Sequence, residues 1–262
     1  MVKVGQLNSK DFPDSKKYAI PLSITGASNY SLIPSQRSAI LLLNRSILSS
    51  VAKVSGGEGI RIKPVGMHTK AEWTIQMSAI YSSLTRSNLT TAYLSNGTGG
   101  AFYTRISSTA GIQVKNGRDG DDTWTQIPLQ AGKWLHITYV HKDKKTTVYV
   151  NGKVQKVFEN SAITFGENSM IVVGNSGYRN DYLREIRLWD KALTESEIND
   201  YLYLPMDPAT PHLISYLPLS KEMETKDLKA PAGTENVTTK ARIEYVENVK
   251  FPADELVIVN QE

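Results

Sequence analysis

The segment Arg118-Asp-Gly-Asp-Asp-Thr-Trp124 sets three carboxylates close together, at Asp119, Asp121 and Asp122. Hard cations take several carboxylate and carbonyl oxygens, so this stretch imitates the start of a calcium loop, with Asp121 and Asp122 as the candidate metal ligands. The EF-hand template fails beyond that start: Trp124 stands where its glycine belongs and Gln130 where its bidentate glutamate belongs. An acidic, solvated turn between strands is the simpler reading, and calcium is the one cofactor the sequence invites.

A second stretch, Asn175-Ser-Gly-Tyr-Arg-Asn-Asp-Tyr182, points to sugar chemistry. Sugars need flat aromatic faces against their C–H surfaces and planar polar groups that fork between hydroxyls. Tyr supplies large contact area at small entropy cost. Asn175, Tyr178, Arg179, Asn180 and Tyr182 provide both kinds of group in what reads as a loop that packing does not require. Tyr81, Tyr93, Tyr103 and Arg105 offer the same mixture on neighbouring strands, although alternation forbids Phe102 and Tyr103 from both facing outward.

Cleavage of a sugar chain asks for more. A glycosidase needs two carboxyl groups facing each other across the sugar, about 5 to 9.5 Å apart. No Asp or Glu lies between Trp73 and Arg118, and between Thr123 and Phe158 there is only Asp143, in a predicted turn. Asp181, Glu185 and Asp190 are the first carboxylates to suspect if the chain were hydrolytic. Four histidines (His68, His136, His141, His212) without a Gly-x-Ser-x-Gly elbow draw no triad. With no cysteine, thiolate metal sites and cysteine nucleophiles are excluded. No catalytic residue is therefore assigned.

The elements that must position these groups are strands. Runs rich in Val, Ile, Thr and Tyr recur between Gly/Asn/Asp/Ser punctuation, the pattern of an antiparallel sandwich. Strands are expected near 73–80, 90–94, 101–107, 111–115, 124–128, 134–141, 146–150, 153–158, 169–174 and 183–189. In 133–157 one ribbon turns at Lys142-Asp143-Lys144-Lys145 and again at Asn151-Gly152, a pair suited to positive φ. Leu135, Ile137 and Tyr139 alternate with His136, Thr138 and Val140, so one set faces a core and His136 reads as a strand histidine rather than a ligand. The tryptophans sit in strand patterns and read as core. One helix is expected over 194–203, where Thr194 and Glu197 form a capping box.

Charge excludes one class of partner. The net charge is +4, and the basic residues are mostly single and interleaved with Ser and Thr, unlike a phosphate-tracking stripe. No nucleic acid partner is expected. No apolar run approaches the roughly 20 residues of a membrane-spanning helix.

The motifs Gly132-Lys-Trp134, Tyr149-Val-Asn-Gly152, Gly174, Leu183 to Trp189 and Ala192 to Thr194, in this order, resemble the laminin-G-like, concanavalin A-like jelly roll. The likeness spans roughly 56–204. It departs at Arg184, where the family carries Asp, so no role of that Asp transfers. Tyr18 to Thr25 and Ser38 to Leu43 resemble the C-terminal half of an Ig-like domain of unknown function from surface lipoproteins of glycan-foraging gut bacteria. The segment 212–252 resembles a stretch those chains carry beside the jelly roll.

The resemblance implies an all-β, antiparallel two-sheet jelly-roll sandwich with a partial Ig-like segment ahead of it. The expected division is 1–45 as that segment, 46–59 as a linker, 60–204 as the jelly roll, and 205–262 as a strand-rich extension packing on it. Strands 1–45 are expected to belong to a separate, incomplete sandwich, and the chain to be a piece of a longer lipoprotein precursor at the outer-membrane surface. The expected function is non-catalytic binding of a polysaccharide or glycoprotein glycan, alongside other outer-membrane glycan-capture proteins. A structural or protein-interaction sandwich is the second reading, and a glycoside hydrolase the third.

Overall fold

The computed structural model describes residues 16–23, 38–44, 50–56, 59–66, 70–84, 90–95, 100–115, 123–159, 165, 169–174, 178–202, 206–247, 249 and 255–258. The chain divides into two compact units, Met1–Leu48 with Lys250–Glu262, and Ser49–Val249.

The first unit contains β1 (Lys16–Ser23) and β2 (Ser38–Asn44), antiparallel, with Tyr18 opposite Leu43. Its third described strand comes from the other end of the chain: Glu255–Ile258 lies parallel to β1, with Lys16 opposite Glu255. The expected extension 205–262 is thus divided. Its last residues add to the N-terminal sheet, while its earlier strands join the second unit. The stretch VKVGQL, residues 2–7, which also reads as a strand, lies outside the described residues.

The second unit runs β3 (Val51–Gly56), β4 (Ile60–Ile62), β5 (Trp73–Ile80), β6 (Thr90–Ser95), β7 (Gly100–Ser107), β8 (Gly111–Lys115), β9 (Trp134–Lys142), β10 (Lys145–Val150), β11 (Lys153–Phe158), β12 (Met170–Val173), β13 (Tyr178–Trp189), α1 (Glu195–Asp200), β14 (Leu213–Leu217), β15 (Val237–Thr239) and β16 (Arg242–Val246). One sheet has the order β11-β10-β9-β5-β13-β3-β16, with β14 also paired to β13; the other has the order β15-β4-β12-β6-β7-β8. Every pairing in both sheets is antiparallel.

The inward faces of the two sheets meet in one core that includes Ile60, Ile62, Ile75, Met77, Ile106, Ile112, Ile137, Tyr139, Ile171 and Leu188. Burial of apolar area at about 25 cal/mol per Å² is what holds such a sandwich closed. Two sequence expectations change here. The stretch 46–59, read as a linker because of its Ser and Gly, carries β3, which is hydrogen-bonded on both sides, to β13 and β16. Residues 124–128, read as a strand, make a single bridge from Trp124 to Gln113.

The ribbon 133–157 turns where its sequence demands. Asp143 and Lys144 have φ of 51° and 60°, and Asn151 and Gly152 have φ of 50° and 76°. Positive φ at both central residues gives the turn whose twist matches the flanking strands.

β9 is buried on both faces from Trp134 to His141. Strict alternation predicts a wet outer face, but a second layer covers it. Val140, Tyr149 and Trp189 on the outer face pack with Leu193, Ile198 of α1, Met206, Leu213 and Tyr216. The capping box starts this helix as expected: the Thr194 hydroxyl accepts from the Glu197 amide while the Glu197 carboxylate accepts from the Thr194 amide.

Candidate glycan-binding face

On the six-stranded sheet, register alone lines up one transverse row. Thr238 of β15 pairs with Arg61 of β4, Arg61 with Val172 of β12, Val172 with Tyr93 of β6, Tyr93 with Tyr103 of β7, and Tyr103 with Lys115 of β8. Arg61 sits between Ile60 and Ile62, and Lys115 follows Val114, all core residues, so alternation turns the charged residues to the outer face. Tyr103 and Arg105 likewise flank the fully buried Thr104.

Tyr103 is not a bare stacking platform. The Arg105 guanidinium carbon lies 4.7 Å from its ring centroid and Lys115 Nζ 5.6 Å. Contacts of this kind are worth about 0.5–1 kcal/mol at exposed sites. The ring thus has two cations beside it. Tyr93 is placed beside it by register.

The other expected sugar-binding residues fare differently. Tyr81 is 1% exposed and part of the core, so it is no platform for a ligand. It follows β5 directly, where the chain is still packed between the sheets. Burial, then the neighbouring Tyr139 and Asp181, pushes its hydroxyl pKa well up. The stretch 175–182 was expected as a loop, yet from Tyr178 onward it is strand. Tyr178 pairs with Gly56, Arg179 with Ser55 and Tyr182 with Lys53; Asn180 lies at the register shift between Arg179 and Asp181. The Tyr/Asn/Arg composition reads as loop, but pairing with β3 overrides it. Tyr182 is half-buried. Asn175 and the candidate calcium ligands Asp121 and Asp122 lie outside the described residues. Among the described residues no cluster of His, Asp and Glu is placed to hold a metal.

The suspected carboxylates are all engaged. Asp181 is fully buried and accepts from the Ser82 amide at 2.7 Å and the Ser82 hydroxyl at 3.0 Å. Glu185 is buried between Arg184, at 3.0 Å, and Arg187, at 2.7 Å, and also accepts from the Tyr216 hydroxyl at 3.2 Å. Burial raises the Asp190 pKa, but hydrogen bonds from Lys70 and His212 outweigh it and hold the carboxyl below its usual range. A general acid needs the opposite shift.

His136 is part of a buried polar layer on the outer face of the larger sheet. Its Nδ1 is 2.8 Å from the Ser78 hydroxyl. Next to it, Gln76 accepts from Trp189 Nε1 at 2.8 Å. Trp73, Trp124, Trp134 and Trp189 are all buried.

Sequence reasoning missed Arg61 and Lys115. The signal was present: each is the charged outward position of a short strand, and the acid-free run from Trp73 to Arg118 contains two of the three cations on this sheet's strands.

The laminin G-type family model described as the concanavalin A-like lectin/glucanases superfamily matches residues 55–199, more than half of the chain. The chain belongs to this superfamily. Within the lectin/glucanase match lie β4 to β13 and most of α1; β14, β15 and β16 fall after it and complete the same two sheets. No curated protein matches this sequence.

Among solved structures, a Bacteroides ovatus protein proposed to bind carbohydrate is similar at a TM-score of 0.59 and 20% identity, over 88% of this chain and 69% of its own. The Limulus polyphemus SAP-like pentraxin aligns over 74% of this chain and 95% of its own, at a TM-score of 0.47 and 15% identity. Domain 4 of a Geobacillus stearothermophilus GH43 arabinanase, solved with arabinotriose, aligns over 60% and 78%, at 0.44 and 17% identity. At 20% identity the likeness to the Bacteroides ovatus protein speaks for the fold.

Proposed function

We propose that this chain binds a polysaccharide or glycan without cleaving it. The observation that carries the non-catalytic half is the state of its carboxylates: Asp181, Glu185 and Asp190 are each committed to hydrogen bonds or ion pairs that hold the fold. The binding half is supported by membership of the lectin/glucanase superfamily and by an outer sheet face where Tyr103, Arg105 and Lys115 cluster. The Bacteroides ovatus protein, proposed to bind carbohydrate, is in line with that reading.

In this reading the chain is part of a cell-surface glycan-capture protein, with 1–45 a partial Ig-like segment. The test is affinity gel electrophoresis on a panel of plant and host polysaccharides, with and without calcium, beside a reducing-end assay. Retardation on at least one gel without released reducing ends is the expected result. Release of reducing ends by purified protein overturns the non-catalytic claim, and migration unchanged on every gel overturns the binding claim.

A further inference from the structure

We infer that the outer face of the six-stranded sheet takes an acidic polysaccharide, one that carries carboxylate or sulfate groups along its length. The inference rests on the polysaccharide-binding reading above and names the substrate class for it.

The first support is composition by sheet. The strands β4, β6, β7, β8, β12 and β15 contain no Asp or Glu, yet they contain Arg61, Arg105 and Lys115. All three cations lie on the side of the sheet away from the core. The larger sheet also carries more cations than acids, but its strands hold both signs. Glu185 bridges Arg184 and Arg187 there, and Glu244 of β16 lies 3.6 Å from Lys53 of β3. Strands that contribute cations and no acid bias the local field toward one sign, which raises the local concentration of an anionic partner.

The second support is preorganisation. Two long cationic side chains normally lose much rotamer freedom on gripping a ligand. Here the Tyr103 ring already holds Arg105 at 4.7 Å and Lys115 at 5.6 Å. That arrangement uses the aromatic surface to present charge instead of stacking a neutral sugar. A guanidinium forks onto carboxylate or sulfate oxygens, and an ammonium adds a point charge beside it.

The third support is extent. Arg61 on β4 and Lys115 on β8 are four strand steps apart in one register row. At about 4.8 Å per step this is roughly 19 Å, with Val172 buried between, so the two ends form cationic stations that a chain of charged sugars bridges and a single sugar does not. Lys63, exposed and two residues beyond Arg61, prolongs the cationic side at that end.

The experiment measures binding of the whole chain to polygalacturonate and chondroitin sulfate, against neutral galactan and xyloglucan and against duplex DNA. Each is run at about 0.02 M and about 0.5 M salt, since exposed charge contacts are screened over that range. The acidic polysaccharides should bind at least about tenfold more tightly than the neutral ones at low salt and lose that advantage at high salt. The double variant Arg105→Gln/Lys115→Gln should weaken acidic binding about tenfold, while Lys153→Gln, exposed on β11 of the other sheet, should leave it unchanged. Should the double variant melt early, Arg61→Gln alone decides by the same comparison.

Binding to neutral polysaccharides alone overturns this inference and leaves the binding reading standing. Binding to no polysaccharide of either kind overturns that reading, and this inference with it. Equal affinity for DNA would make the face a general polyanion surface and refute acidic glycan as its ligand class.

Discussion

Arg187 Nη2 donates to Glu185 Oε2 at 2.7 Å with both side chains buried on one strand. A bulge makes this possible. Between Arg184 and Arg187 the register of β13 against β5 shifts, and Glu185 takes a φ of 56° that non-glycine residues seldom adopt. The extra residue lets Arg184, Glu185 and Arg187 meet beside Tyr216, while Ile186 still reaches the core. Removing Glu185 would take away the carboxylate that both buried guanidiniums share. Glu185→Ala should therefore cost about 3–5 kcal/mol, read from urea denaturation. Unchanged stability would mean that the two arginines find other compensation.

Gly152 joins the ribbon to the helix. Its φ is 76°, and a Cβ built there would fall on Oδ1 of Asn199, whose Nδ2 donates to the Gly152 carbonyl at 3.3 Å. Gly152→Ala combines backbone strain with loss of that helix contact and should cost about 2–3 kcal/mol. Gly132 provides the comparison. Its φ is 71°, but nothing lies within 4 Å of a Cβ there, so Gly132→Ala should cost only about 1–2 kcal/mol. Equal losses in thermal denaturation would show that Asn199 simply moves aside.

How far the sequence carried the fold depends on which interactions decide each element. The ribbon 133–157 and the Thr194–Glu197 box were legible because turn geometry and capping are local: Asn151-Gly152 and Thr-x-x-Glu act over a few residues. β3 was not legible, since Val51–Gly56 becomes a strand only through β13 and β16, more than a hundred residues away. Tyr178 to Tyr182 fails for the same reason, its loop-like composition giving way to pairing with β3. For the site, the absence of acids between Trp73 and Arg118 was visible, but the row Arg61–Tyr103–Lys115 exists only after the sheet order is known. Tyr81 could not be separated from Tyr103 by type, only by burial.

Tyr81 is a test of that separation. Its hydroxyl is buried and has no hydrogen-bond partner among the described residues. An unsatisfied buried polar atom carries a desolvation cost of about 1–3 kcal/mol, which Phe avoids at nearly the same shape. Tyr81→Phe should leave stability unchanged or raise it by about 1 kcal/mol, with polysaccharide retention as in the parent. A loss of retention in a fully folded Tyr81→Phe protein would return this residue to the binding site.

The acid side of the stability profile should be shaped by His136. It is 1% exposed, and burial, then the charges of Arg187 and Arg184, lowers its pKa well below the ordinary value of 6.5. His141, stacked on Trp73 with ring centroids 5.0 Å apart, is lowered too, by burial. The folded state keeps His136 neutral, whereas the unfolded chain takes up the proton as pH falls through 6.5. Below that pH the unfolded state binds more protons, so stability is fully present above it and is lost as pH falls toward the folded pKa. The slope contributed by one such histidine approaches about 1.4 kcal/mol per pH unit. His136→Gln should flatten the profile between about pH 6.5 and pH 5 relative to the parent, even if it lowers stability at every pH. Urea midpoints measured across that interval check this, and parallel curves for parent and variant would show that His136 titrates in the folded protein much as it does in water.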